Sequence, residues 1–157
     1  MAYWWKNFWK LNVPSKIKVF LWKVCHDWIP TNFNLARRRV HIDGLCSFYK
    51  ISMETTFHAL WECNRLKKTR REWLVQVSAI GVDPNNFFDY IFNYFYKISR
   101  DQKELFCVVV WRIWFGRNSH LYGSMPVDLS DTIRWSKKFL QDYQSANDNR
   151  RKISDKE

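Results

Sequence analysis

Three residues of types that bind soft metal ions lie close together in the sequence, in the first half of the chain. Cys46, His58 and Cys63 could each offer a sulfur or an imidazole nitrogen to a metal ion, and Tyr49 stands three positions after Cys46. Written as spacing, the pattern is Cys-x2-Tyr-x8-His-x4-Cys. A Cys-x2-Cys turn followed by His and Cys is how small structural zinc sites are built. The spacing therefore predicts a zinc knuckle with three soft ligands.

The fourth ligand position of this knuckle is occupied by Tyr49. A phenol has an unperturbed pKa near 10 and is a poor zinc ligand beside thiolates and imidazole. Water, His41 or a thiol from a partner could complete the tetrahedron, and the sequence favours none of these over the others.

The elements that must position these residues are predicted to be helices. Only four Gly and four Pro interrupt a chain that is 46% hydrophobic and 18% aromatic, which favours long helices around a large aromatic core. Residues 40–53, by contrast, are predicted to form an irregular stretch or a short hairpin. Apolar residues recur at helical spacing in seven segments. These are residues 4–9, 15–28, 31–39, 54–81, 87–96, 101–115 and 129–143.

The predicted fold is therefore mainly α. Residues 1–80 would form a small helical domain with an irregular zinc-knuckle-like insert, residues 81–144 would add further helices, and the polar residues 145–157 would form a disordered tail. Thr31 and Asp101 are predicted N-caps, and Gly81 a C-terminal cap. The long helix after residue 54 could be continuous or broken near Cys63.

The charge of the chain bears on its partners and its compartment. A net charge of +11 and a pI near 9.7 predict attraction to polyanions such as RNA, DNA or an anionic membrane surface.

The N-terminus lacks the pattern of a secretory signal. The longest apolar run, 105–115, contains Arg112 and falls short of the ~20 residues that span a bilayer. Since the chain shows neither a secretory signal nor a membrane span, we predict an intracellular protein, nuclear or cytoplasmic, with reduced thiols.

Two groups of basic residues are the predicted nucleic-acid contacts. Their side chains could neutralise phosphates without reading base sequence. The alternative is a solvated helix face, with Glu62 and Glu72 as partial counter-charges. The first group is Arg37, Arg38 and Arg39, and the second is Arg65, Lys67, Lys68, Arg70 and Arg71.

No catalytic residue is predicted. Cys25 and His26 are neighbours, but adjacent residues on a helix point about 100° apart and would not pair. Cys25 and Cys107 each lie on an apolar helix face, and we predict that both are core residues. Most tryptophans, Trp28 among them, also fall on apolar faces. Trp4 and Trp5 are better candidates for exposure and for stacking on bases.

The residues around the knuckle resemble the reverse transcriptase zinc-binding domain of plant non-LTR retrotransposons. The resemblance covers residues 4–73 closely and 105–120 more loosely. It is carried by the segments 9–23 and 26–40, Cys46, Glu54-Thr55, His58-x4-Cys63, Trp73 and the Trp111-x2-Trp-x2-Arg-Asn118 helix.

This resemblance implies zinc as cofactor, RNA or DNA as partner, and a neighbouring reverse transcriptase or ribonuclease H-like domain in full-length relatives. The chain has no room for either catalytic domain, so we expect a fragment of a retroelement-derived reading frame that is not an enzyme. The predicted function is a non-catalytic module that contacts nucleic-acid phosphates. The alternatives are a helical module that docks on a polymerase domain, and a retrotransposon relic without a function.

Overall fold

The computed structural model describes residues 1–76, 87–123 and 125–154, without the side chains of 74–76. Within these ranges the fold is mainly α, as predicted, and contains no β-strand; Leu45 and Met53 form an isolated antiparallel bridge. A π-helical turn (His58–Glu62) and a 3-10 turn (Asn64–Leu66) precede the fourth helix. The α-helices are α1 (Ala2–Trp9), α2 (Ser15–Cys25), α3 (Asn32–Arg37), α4 (Lys67–Gln76), α5 (Phe87–Phe95), α6 (Arg100–Tyr122) and α7 (Thr132–Ser154).

Helix α6 forms the centre of the fold. Its residues 104–110 are all buried, and it packs against α2, α7 and the π-helical turn. Its N-cap is Ser99, which forms a capping box with Gln102, and not the predicted Asp101, which lies in the first turn. Ser99 can accept a hydrogen bond from the N–H of Gln102 while Gln102 binds back to Ser99, and this reciprocal pair fixes the start of the helix.

One hydrophobic core draws residues from both sides of the predicted domain boundary at residue 80. The ring of Phe106 in α6 lies 5.9 Å from that of Trp61, 5.6 Å from Trp73 and 5.4 Å from Tyr94. Aromatic pairs at such distances stabilise beyond their buried area. The boundary itself and the predicted Gly81 cap lie outside the described residues.

Helix α7 extends further than the sequence indicated. It continues to Ser154, so residues 145–154 are helical where a disordered tail was predicted. Gln144 and Asn147 reach back to Asn12, to its carbonyl at 3.1 Å and its side-chain oxygen at 3.3 Å. Arg151 and Lys152 in the last turn also favour the helix dipole. These polar contacts have no apolar periodicity, and for that reason the sequence did not indicate them.

Three tryptophans differ from the prediction in how far they are buried. Trp4 is buried and Trp5 half-buried, because they pack against each other and against α5, with Trp4 5.7 Å from Phe95. Trp28, predicted as core, is 50% exposed, since it follows the end of α2 and packs edge-on against Trp22 at the surface.

The start of α3 agrees with prediction, because the side chain of Thr31 accepts a hydrogen bond from the N–H of Asn34 at 3.2 Å. In the described part of the chain, no helix combines the length and apolar character needed to cross a bilayer.

Candidate metal centre

Cys46 lies in a compact loop between the bridge partners Leu45 and Met53. Its N–H donates to the carbonyl of Ser52, and its own carbonyl accepts from the N–H of Lys50, both at 2.8 Å. Gly44 starts the loop with φ +72°, a conformation that glycine adopts without strain. The loop thus places the sulfur of Cys46 inward, and the residue is 1% exposed.

His58 and Cys63 are positioned by the π-helical turn. The side chain of Thr55 accepts from the N–H of His58 at 3.1 Å and starts the turn. Its end is marked by the N–H of Cys63, which donates to the carbonyl of His58 at 3.0 Å, five residues back. Short π-helical segments are frequent at functional sites. The segment that the sequence predicted as helical from residue 54 is therefore broken at Cys63, one of the two arrangements left open.

The three predicted ligands come together in space. One sulfur or ring-nitrogen atom from each of Cys46, His58 and Cys63 lies within 4.8 Å of the others. The two sulfurs are 3.8 Å apart. With Zn–S bonds of about 2.3 Å, tetrahedral geometry requires a sulfur separation of about 3.8 Å. The thiols are free, and their separation suits a shared metal ion.

His58 has an unsatisfied nitrogen at this point. Its Nε2 is buried and has no hydrogen-bond partner among the described residues. Burial lowers the pKa of His58, with the carboxylates of Glu62 and Glu54 opposing that shift, and so favours the neutral ring that a metal ion requires. A buried polar atom without a partner is costly unless something satisfies it, and a metal ion bound by Nε2 would do so.

Two arginines hold the backbone around the cluster. Arg65 lies over the ring of Phe48 at 4.4 Å and donates to the carbonyl of Ala59 at 3.2 Å. Arg70 donates to the carbonyl of Cys63 at 3.0 Å and to that of Trp61. Burial raises the pKa of the Cys63 thiol, while the backbone N–H of Arg65 donates to its sulfur and works against that rise.

A buried ion pair connects the knuckle loop to α6. Arg117 and Glu54 are each 1% exposed and form two hydrogen bonds, one from Nε to Oε2 at 3.2 Å. Glu54 also accepts from the N–H of Asn32 at 2.9 Å. The side chain of Asn32 donates to the carbonyl of Leu45 at 2.7 Å and to the hydroxyl of Ser47 at 2.8 Å. Both neighbours of Cys46 are thereby held in place.

Glu54 and Arg117 lie in motifs that carry the family resemblance, but the sequence predicted no role for either. The available signal was weak, since other charged residues, Glu62 and Arg112 among them, lie in the same segments. Their pairing across 63 residues could be seen only in the fold.

Tyr49 is 44% exposed, as is expected of a surface residue on the loop. His41, another candidate for the fourth ligand, is exposed and lies outside the ligand group. The donor set of two thiols and one imidazole fits zinc. The residues present therefore suit a zinc ion with three protein ligands.

Comparison with known proteins agrees with this geometry. Residues 1–69 match the family model described as zinc-binding in reverse transcriptase. This part of the chain is therefore similar to the zinc-binding domain of that family. The match confirms the resemblance and includes Cys46, His58 and Cys63 of the zinc-binding domain. It ends before α5, α6 and α7 begin.

One curated relative covers nearly the whole chain. It is a protein of Arabidopsis thaliana named "putative ribonuclease H protein", which is 24% identical over 150 residues. The aligned region is 93% of this chain and 24% of the relative, so the chain spans about a quarter of that protein's length. Together with the family match, this relative supports a retroelement origin. No solved structure matches the chain.

The predicted nucleic-acid contacts differ in their availability. Arg65 and Arg70 are half-buried and bind backbone carbonyls around the metal-ligand cluster. The other six are exposed. Arg37 pairs with Asp27 at 3.2 Å, and Lys68 pairs with Glu72 at 3.4 Å, both at the surface. The exposed members are Arg37, Arg38, Arg39, Lys67, Lys68 and Arg71.

The neighbours Cys25 and His26 do not form a nucleophile–base pair. The Nδ1 atom of His26 lies 2.8 Å from the carbonyl oxygen of Trp22. Burial raises the pKa of the Cys25 thiol to about 12, and burial also raises the pKa of the Cys107 thiol. Thiols of this kind carry little thiolate at neutral pH and are poor nucleophiles.

Proposed function

We propose that the chain is a non-catalytic zinc-binding module of a retroelement-derived protein, and that it contacts the phosphates of RNA or DNA. The observation that carries this proposal is the convergence of Cys46, His58 and Cys63, with ligand atoms within 4.8 Å, inside the segment that matches the family.

Zinc in this module has a structural role. Cys46 belongs to the knuckle loop, whereas His58 and Cys63 begin and follow the π-helical turn. An ion held by all three would cross-link the two segments, and the free energy of metal binding would add to the free energy of folding. Among the His, Cys, Asp and Glu side chains of the described residues, no fourth one joins the group. We therefore assign the fourth position to a solvent molecule or to a group from outside this chain.

The phosphate-binding surface consists of the exposed basic residues on either side of the knuckle. Arg38 and Arg39 follow the end of α3, and Lys67, Lys68 and Arg71 lie in the first turns of α4. Arg65 and Arg70 contribute by holding the backbone beside Cys63. A net charge of +11 adds long-range attraction to a polyanion.

A binding titration tests this function. Fluorescence anisotropy of labelled single-stranded RNA, single-stranded DNA and duplex DNA would be measured with the zinc-loaded chain at several salt concentrations. Phosphate contacts release counterions, so the affinity should fall linearly with salt on logarithmic axes. Binding that is undetectable at low salt, or insensitive to salt, would contradict the proposal.

A second function is favoured by exposed aromatic side chains. Trp9, Trp28 and Phe115 are 43%, 50% and 45% exposed. Exposed aromatic residues are enriched at protein interfaces. They could dock the module on a reverse transcriptase or ribonuclease H-like domain. Sedimentation of the chain mixed with such a domain tests this function, and a complex should weaken when Trp28 is replaced by Ser.

A further inference from the structure

A cavity of about 260 Å³ lies where α1, α5 and the start of α6 meet, away from the knuckle. Its apolar lining includes Trp4, Phe8 and Phe95, which belong to the core. Two tyrosines at the cavity are open to solvent, since Tyr3 is 74% and Tyr96 is 66% exposed. The cavity therefore combines a rigid apolar floor with accessible aromatic rings.

The architecture of this cavity is fixed by contacts between its walls. A hydrogen bond of 2.7 Å from Arg100 to the carbonyl of Lys10 joins the end of α1 to the start of α6. Tyr96 packs edge-on against Phe92 at 5.1 Å, which restricts its ring. Trp4 stacks on Phe95 at 5.7 Å and joins α1 to α5. The site is thus preformed, as ligand sites commonly are.

The charge around the cavity is positive. Lys10, Arg100 and Lys103 line it, and none of the described lining residues is acidic. The nearby carboxylate of Glu104 is buried and already accepts from Arg100 at 3.1 Å and from the N–H of Asn12 at 2.7 Å. Within the described residues, Lys10 and Lys103 form no ion pair, so their charges are available to an anion.

We propose that this cavity binds one nucleotide of an unpaired RNA or DNA strand, with the base against Tyr3 and Tyr96 and a phosphate beside Lys10 and Lys103. Single-strand binding sites combine these two elements, aromatic rings on which bases stack and cations that follow the phosphates. An apolar cavity with a cationic rim also suits a flat aromatic anion better than a neutral apolar ligand. This inference rests on the proposed function and gives it a second, zinc-independent contact.

The test uses a matched pair of tyrosines. Tyr3 and Tyr122 are both 74% exposed, but only Tyr3 lines this cavity. Anisotropy of labelled oligouridylate and oligothymidylate would be measured with the full chain and its variants. Tyr3→Ala and Tyr96→Ala should each weaken binding by about tenfold, the usual scale of one base stacked on an aromatic ring. Tyr122→Ala should leave binding unchanged, and circular dichroism would show that all variants are folded.

Free uridine monophosphate separates this inference from the proposed function, because one nucleotide can occupy the cavity without reaching the knuckle. Saturation-transfer NMR should show signal transfer from the protein to the base, which should be much weaker in Tyr3→Ala and unchanged in Tyr122→Ala. Oligonucleotide binding that is weakened by Tyr3→Ala but unchanged when Lys67, Lys68 and Arg71 are replaced by Gln would support the cavity and contradict the proposed function.

Three results would overturn the cavity assignment. The first is oligonucleotide binding that is equally strong in Tyr3→Ala and Tyr122→Ala, which would leave the knuckle surface as the binding site. The second is absence of signal transfer to the monophosphate. The third is an acidic peptide that displaces the monophosphate at equal concentration, which would indicate a protein partner.

Discussion

Nε of Arg117 lies 3.2 Å from Oε2 of Glu54, although 63 residues separate the two in the chain. This buried contact joins α6, which lies outside the family match, to the loop that carries Cys46. Asn32 connects the pair to both neighbours of Cys46. The position of this candidate metal ligand therefore depends on a helix that lies outside the family match.

Breaking this ion pair should be costly. Glu54→Gln or Arg117→Met leaves one buried charge without its partner, which costs about 3–5 kcal/mol of unfolding free energy. Urea denaturation of the zinc-loaded protein would measure the loss. Lys138→Met is the matched control, because Lys138 and Asp142 form an exposed pair, for which such a change costs less than about 1 kcal/mol. Equal losses in the buried and exposed pairs would contradict this interpretation.

The part of the fold that could be predicted follows from local pattern. Residues close together in the sequence determine the apolar spacing of α2, α5 and α6 and the cap at Thr31. What was missed depends on distant partners. Trp4 is buried because α5 covers it, and α7 continues past residue 145 because Gln144 and Asn147 contact Asn12.

Zinc binding should release protons. Zinc binds cysteine as thiolate, and a site with two thiolate ligands releases about two protons per zinc at neutral pH, where ordinary thiols are protonated. Burial raises the pKa of the Cys63 thiol, so that thiol should release its proton to zinc. Burial lowers the pKa of His58, so its ring is already neutral and releases none. The affinity should therefore fall as the pH falls.

Calorimetry in buffers of different ionisation enthalpy would count these protons. Release of about three protons would point to a further ionised ligand, such as the phenolate of Tyr49 or a metal-bound hydroxide. Affinity that is independent of pH would contradict thiolate ligation.

Without metal, the same two thiols should be prone to oxidation. Their sulfurs are 3.8 Å apart, and a disulfide requires about 2.05 Å, so a modest movement of the knuckle loop would allow the bond to form. Mild oxidation of zinc-free protein should link Cys46 to Cys63, as shown by peptide mass spectrometry, and zinc should prevent it. Cys25 and Cys107 provide the internal comparison, since they are also free thiols but do not belong to the Cys46–His58–Cys63 group. Equal oxidation with and without zinc would argue against metal ligation by these thiols.

The exposed basic residues should set the salt dependence of nucleic-acid binding. Replacing Lys67, Lys68 and Arg71 by Gln removes up to three cations from the phosphate-binding surface. The logarithmic salt slope should decrease by about one for each phosphate that is no longer neutralised. The control replaces Lys137, Lys138 and Lys152, exposed residues of α7, in the same way. Equal decreases in both triple variants would show that only net charge matters.

The ligand set itself was predictable in part. The spacing of Cys46, His58 and Cys63 was sufficient to predict that the three side chains come together, because short zinc sites keep their ligands close in sequence. Their support was not predictable: the π-helical turn, the arginines that hold it and the Glu54–Arg117 pair all depend on tertiary contacts. The spacing also could not show that Arg65 and Arg70 are engaged with carbonyls and half-buried.

Zinc analysis of the purified chain beside Tyr49→Cys and Cys63→Ser tests the central claim most directly. After dialysis against a weak chelator, we predict one zinc per chain in the unsubstituted protein, none in Cys63→Ser, and tighter retention in Tyr49→Cys, where a fourth thiolate completes the tetrahedron. Melting temperature should be lowest in Cys63→Ser and highest in Tyr49→Cys. Absence of zinc from the unsubstituted protein, or equal retention in Cys63→Ser, would contradict a metal centre built on Cys46, His58 and Cys63.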